Sequence, residues 1–303
     1  SILKKIGVLK RPIINIWVKA LVSQLAKFWE VEFSSSRTFQ IINTIDVDHA
    51  WAYQNKGTIR TVGAIGKGIT KGAIEATKDR LGVLMSDKQD PYDTYAYIKE
   101  SAQTNKVDTI FFFLLGDYQR PYDTSVSHTN KALINLIDEV SSFAKVGIHP
   151  SYASYLNEKK VSKEVERLKT ITKENTTLSR QHFLKLSIPD SYRVLEKVGV
   201  EHDYSIGYAQ EVGFRAGLCT PFTFFDVLKD KPLNITVHTF AYMDGTLNEY
   251  LKLTVVEAIE QITFLKDNVK AVEGDFIGVW HNSSVHDKDE WKGWKEVFEW
   301  GLK

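Results

Sequence analysis

Apolar residues follow two rhythms along this chain. Short apolar runs are closed by Gly, Asp or His, and longer stretches carry apolar positions three and four apart. Residues 109–115 form an unbroken apolar run ended by Gly116-Asp117, as in a strand buried on both faces. Residues 39–42, 146–148, 235–240 and 276–280 read as further strands, and 204–207 and 213–217 as strand ends. Helical spacing covers 71–84, 93–103, 130–144, 161–171, 189–198 and 254–268, the second of these opened by Pro91 and an acidic cap. Residues 51–70, rich in Gly and Lys, read as a long loop over a strand end and hold no phosphate-binding glycine pattern. Strands alternating with helices predict an α/β fold, a parallel sheet with outer helices, closed or nearly closed into a barrel.

The opening segment, 1–38, reads as helical and is expected to pack on the main domain, 39–303. Its apolar spacing is interrupted by Lys19 and Gln24, unlike a secretory leader. A start at Ser1 is expected to reflect trimming of a longer chain. With 303 residues a large core can form. Net charge is +1 with both signs interspersed, which excludes the electrostatic footprint of a nucleic-acid partner. No segment reads as transmembrane, and the oligomeric state stays open. A single cysteine, Cys219, excludes an intrachain disulfide and a multi-cysteine zinc site. A reducing, cytoplasmic location is the expectation.

Chemistry gathers at the strand ends, where a parallel barrel places its functional groups. Asp46 and Asp48, two apart at the end of the 39–42 run, project to one side, and like charges held that close call for a cation or a donor between them. An Asp capping a loop is the competing reading of such a pair. Asp117, His149, His182, Asp203 with Ser205, Arg215 and His281 follow at the other strand ends. Asp and His are the ligand types of a catalytic divalent ion, held by three side chains with one position open.

The order Thr44-Ile45-Asp46-Val47-Asp48, Gly147-Ile148-His149-Pro150-Ser151, Gly213-Phe214-Arg215-Ala216-Gly217 and Val279-Trp280-His281-Asn282 resembles the polysaccharide deacetylase superfamily, which includes carbohydrate esterase family 4. A divergent bacterial branch is closer, sharing Pro91-Tyr92-Asp93-Thr94-Tyr95, Arg180-Gln181-His182-Phe183-Leu184 and Trp291-Lys292-Gly293-Trp294. The resemblance runs from Phe39 to the C-terminus. It implies a distorted (β/α) barrel of about seven parallel strands and a metal-dependent deacetylase, most simply with zinc. It further implies Asp46 as general base, Asp48 and His149 as metal ligands, Arg215 as the brace of Asp46 and His281 as general acid. One position departs: the superfamily's second histidine, four residues after the first, is Ala153 here. His182 is the replacement expected, with a loop-capping role as its competitor.

The chemistry implied is hydrolysis of an N-acetyl or O-acetyl group on a carbohydrate. Asp203 or Ser205 would tune His281 through a hydrogen bond. Trp51, Tyr53, Tyr152 and Trp280 are candidates for stacking on sugar rings, Trp280 equally for the core. Asp117 and His128 are candidate substrate-loop residues, His49 a neighbour of the Asp pair, and His202, His238 and His286 structural or solvated. The alternative is a catalytically weakened glycan- or partner-binding protein, which Ala153 keeps open. A metal-dependent sugar isomerase lacks the recurring acidic ligands it would need.

Overall fold

The computed structural model describes residues 2–33, 35–86 and 88–303. Nine strands form: β1 (Gln40–Val47), β2 (Asp108–Phe113), β3 (Lys145–Ile148), β4 (Leu178–Ser179), β5 (His202–Ile206), β6 (Phe222–Asp226), β7 (Lys231–Thr239), β8 (Tyr242–Met243) and β9 (Asp275–His281). They make one sheet in the order β6-β7-β5-β4-β3-β2-β1-β9-β8. Among the described residues every pairing is parallel except β6 with β7. The count of about seven parallel strands is therefore corrected to eight, with an antiparallel hairpin strand at one edge.

The sheet curls, because side chains of non-adjacent strands meet inside it: Phe112 of β2 lies 5.5 Å from Tyr204 of β5. Period two sorts each strand between two environments. Ile110, Phe112, Ile277 and Val279 join a small cluster inside the curl. Phe111, Phe113, Phe276 and Trp280 join the larger core beneath the helices. Both faces of the central strands are dry, which is why β2 reads as an unbroken apolar run. Some helices start where a side chain satisfies their first N–H groups. Asn130 accepts from the Ala132 and Leu133 amides before the helix Lys131–Ser141, and Thr254 with Glu257 forms a capping box before Val255–Lys270.

Two segments differ from the sequence expectation. Residues 58–70, expected as loop, are the helix Thr58–Thr70, packed on the helix Ile74–Met85. A glycine is needed there because a Cβ on Gly68 would stand 2.3 Å from Thr77 Oγ1, so composition that looks loop-like serves close helix contact. Residues 213–217, expected as a strand end, are an irregular loop. Gly213 adopts φ 121°, and Phe214 N–H donates to the Leu9 carbonyl, so this loop holds the N-terminal segment in place of a sheet partner. The helix Ile13–Trp29 is tied by its first turns, Ile14 N–H to the Gly217 carbonyl and Asn15 to Thr220 and Cys219. No helix among the described residues is long and apolar enough to cross a membrane.

Candidate metal centre

Three strand tips bring Asp48, His149 and His182 together, their ligand atoms all within 4.8 Å of one another. Asp48 follows β1, and His149 follows β3, its N–H continuing the parallel ladder to the Phe113 carbonyl. Beyond the two-residue β4 the ladder also continues: Arg180 N–H donates to the Ile148 carbonyl and His182 N–H to the Pro150 carbonyl. Leu178, Arg180 and His182 therefore share one side, as period two requires. His149 Nε2 lies 3.2 Å and His182 Nε2 3.5 Å from Asp48 Oδ1. Metal–ligand bonds of about 2.0–2.1 Å in a tetrahedron separate neighbouring ligand atoms by about 3.3–3.4 Å, so these spacings fit a small divalent cation.

The donor chemistry fits as well. Asp48 Oδ1 is buried and accepts no hydrogen bond among the described residues, an isolated acceptor that a cation would satisfy. Each histidine is held through its other nitrogen, His149 Nδ1 2.6 Å from the Arg180 carbonyl and His182 Nδ1 3.1 Å from Asp123 Oδ1. With Nδ1 donating, Nε2 of both rings is turned toward Asp48, the nitrogen that would hold a cation once it carries no proton. Asp123 also accepts from the Tyr152 and Ala153 amides. The loop that lacks the second histidine thus contributes its backbone, and His182 contributes the imidazole.

Asp46 and His281 flank this group. Asp46 Oδ1 accepts from Arg180 Nη1 at 2.9 Å, while Oδ2 stands 4.0 Å from His149 Nε2. Arg180 is fully buried, with Nε donating to the Tyr204 carbonyl at 3.0 Å and its guanidinium 4.7 Å from the Phe112 ring centre. The brace of Asp46 is therefore Arg180. Arg215, assigned that part from the sequence, instead donates to the Gly207 carbonyl from the irregular loop and lies over Tyr208. His281 Nδ1 is 2.9 Å from Asp244 Oδ1, and Nε2 faces Asp48 Oδ2 at 3.9 Å. Burial disfavours its charged form, but Asp244 above all, then Asp48 and Asp46, raise its pKa to about 10. His182 behaves alike: burial opposes its charge, Asp48 and Asp123 favour it, and its pKa rises to about 9. Asp48 is held well below the usual carboxylate range, burial being outweighed by His182, His149 and His281.

Several residues expected at the site stand elsewhere. Asp203 and Ser205 are fully buried: Asp203 binds Ser179, Tyr192 and Ser205, and Ser205 Oγ accepts from the Gln181 amide. They hold the loop carrying His182 and do not touch His281, whose partner is Asp244. Trp51 and Trp280 belong to the core. Tyr53 lies under the Arg80 guanidinium, and Asp117 is an exposed partner of Arg167 and Lys163. His128 and Asp117 line a separate cavity with Lys56 and Arg60. Tyr152 packs on Tyr122 and backs Phe183 at 5.8 Å. His49 sits 3.4 Å from Thr124 Oγ1, and burial with the nearby Lys56 lowers its pKa to about 4. The cavity over the candidate centre, about 390 Å³, is walled by Tyr92, Phe183, Tyr250 and Trp291, with Glu249 and Glu290 at its edge.

Arg180, Asp244 and Asp123 were missed from the sequence. Arg180 carried a signal, standing two residues before His182 as Asp46 stands before Asp48. Asp244 follows a strand of two residues, too short to read as one, and Asp123 lies in a long loop without periodicity.

No family model matches the chain, and no curated protein matches it. Among solved structures, a protein from Mycobacterium smegmatis classed provisionally as a polysaccharide deacetylase aligns with TM-score 0.53 and 12% identity, over 88% of this chain and 85% of its own. A polysaccharide deacetylase from Bacillus cereus aligns with TM-score 0.40 and 10% identity, over 88% and 87%. A carbohydrate esterase family 4 pseudoenzyme from Bacillus anthracis aligns with TM-score 0.34 and 12% identity, over 81% and 65%. The first of these alignments carries the comparison: the chain shares its fold with the Mycobacterium smegmatis protein.

Proposed function

We propose that this chain is a metal-dependent hydrolase that removes acetyl groups from a carbohydrate, with zinc as its cation. The observation that carries the reading is the convergence of Asp48, His149 and His182 between a buried Asp46–Arg180 pair and a His281–Asp244 pair, half-buried at the histidine and buried at Asp244. Function lives in such a site, and the fold only raises the prior. A divalent cation held by the three ligands supplies a lowered water pKa and a polarised carbonyl.

The chain's own residues would do the rest. Asp46, fixed at Oδ1 by Arg180, keeps Oδ2 free on the ligand side to accept a proton from water. Asp244 favours the charged form of His281, and its Nε2 faces the centre, placed to protonate a leaving sugar nitrogen or oxygen. Asp244 fixes that ring and holds the proton on it. The aromatic cavity wall suits the apolar faces of a sugar ring, with Phe183 and Tyr250 in the part first given to Trp51 and Tyr53.

The test combines zinc titration by calorimetry with acetate release from an N-acetylated oligosaccharide. Tight zinc binding that is lost in Asp48→Ala and His182→Ala, with acetate release lost in parallel, is expected. A protein that binds no zinc and releases no acetate refutes the proposal. The alternative, a binding protein without turnover, drew on Ala153; in support of the hydrolase reading, His182 Nε2 stands 3.5 Å from Asp48 Oδ1, where it can serve in place of the missing histidine.

A further inference from the structure

Over residues 49–74 the chain carries no acidic side chain, and its charged residues there are Lys56, Arg60, Lys67 and Lys71. The helix Thr58–Thr70 within this stretch has two faces. Arg60, Thr61, Ala64, Ile65 and Gly68 are half-buried, with Arg60 bonded to the main body and Gly68 against Thr77. On the other face Ile59, Val62 and Ile69 are 89%, 68% and 65% exposed. With Gly66 they follow the spacing i, i+3, i+7, i+10, a single outward stripe. An apolar stripe turned to water marks a contact surface.

The helix is joined to the candidate metal centre. Arg60 donates to the Thr124 and Ser125 carbonyls, and the preceding residue, Asp123, holds His182 Nδ1. The stripe therefore stands on the rim where the strand tips end. The second apolar face, on the helix Ile13–Trp29, lies toward the opposite end, where Lys19 reaches the Ala271 carbonyl and Glu273 ahead of β9.

We infer that the helix Thr58–Thr70 docks the rim of the site onto an anionic lipid surface, Ile59, Val62 and Ile69 entering the headgroup boundary and Lys67 and Lys71 meeting lipid phosphates. Lysines accompanying an apolar stripe, with no acidic residue from 49 to 74, are the composition of an interfacial helix; Glu75, the first acid to follow, pairs with Lys78 on the next helix.

Sedimentation with lipid vesicles tests this without turnover, so its failure is distinct from failure of the hydrolase reading. The wild-type chain is expected to sediment with phosphatidylcholine vesicles containing about one-third phosphatidylglycerol, less as salt is raised, and weakly with phosphatidylcholine alone. I59S/V62S/I69S is expected to lower the apparent partition coefficient at least about tenfold, and K67E/K71E several-fold at low salt. These positions are exposed, so both variants keep the wild-type melting midpoint and zinc affinity. The inference is overturned by a wild-type chain that ignores anionic vesicles, or by a triple variant that binds like wild type. It is equally overturned if W17S/L21S/F28S alone abolishes binding, or if the triple change only converts a dimer to a monomer.

Discussion

Arg180→Met removes a fully buried guanidinium and leaves Asp46 charged and dry. In the native chain Arg180 donates to Asp46 Oδ1 at 2.9 Å and to the Tyr204 carbonyl at 3.0 Å, between the Phe112 and Phe240 rings. Methionine replaces the packing but not the charge. Breaking one side of a buried ion pair costs about 3–5 kcal/mol. An unfolding entropy of about 2.1 cal/mol/K per residue gives about 0.6 kcal/mol/K for this chain, so the melting midpoint falls by about 5–8 °C. Adding Asp46→Asn removes the stranded charge, and the double variant is expected to regain much of that loss. Acetate release by Arg180→Met should fall on the order of a hundredfold, because a general base that has lost its orientation loses a term of that size. Arg215→Met, at a half-buried guanidinium serving one carbonyl, should melt within about 1 kcal/mol of wild type and turn over normally. Thermal melts and initial rates on the four proteins decide it. Equal losses in Arg180→Met and the double variant, or a larger rate loss in Arg215→Met, would refute the pairing.

Asp244→Asn removes the main support of the charged His281, whose pKa of about 10 lies above its ordinary value. Stabilisation from that pair is complete below about pH 6.5 and is lost as pH rises through 10, so the alkaline limb of kcat/KM should move down by at least about one pH unit in the variant; an unmoved limb counts against His281 as the acid. Asp123→Asn weakens the hold on His182 Nδ1, and zinc affinity by calorimetry should drop about 10–100-fold with the fold intact. Glu164 is buried beneath the Ser151 turn, and burial raises its pKa from 4.5 to about 7 despite two hydrogen bonds from Ser151. Its folded pKa being the higher one, stability falls as pH rises from about 4.5 through 7, by up to the order of 3 kcal/mol; Glu164→Gln should flatten that slope in urea melts taken across the window.

The alternation of apolar runs with helical spacing was enough to read a parallel α/β fold, because burial on both faces leaves its mark on every central strand. Period two was enough to put Asp46 and Asp48 on one rim, and the strand-end rule brought His149, His182 and His281 to it. Local sequence misled where a residue's reason lay in a distant neighbour. The glycines of 63–68 look like loop until Thr77 packs against Gly68, and the Gly213-to-Gly217 segment looks like a strand end until Leu9 occupies its edge.

What the chain determined by itself was that Asp46, Asp48, His149, His182 and His281 reach one rim. Only the tertiary structure decided which of them meet. Arg180 pairs with Asp46 across 134 residues, His182 with Asp123 across 59 and His281 with Asp244 across 37. β4 and β1 are separated in the sheet by β3 and β2, so the Arg180–Asp46 contact exists only because the sheet curls and brings opposite strands face to face. No period in a sequence reports that curvature, whereas charge buried inside it must find a partner there or unfold the barrel.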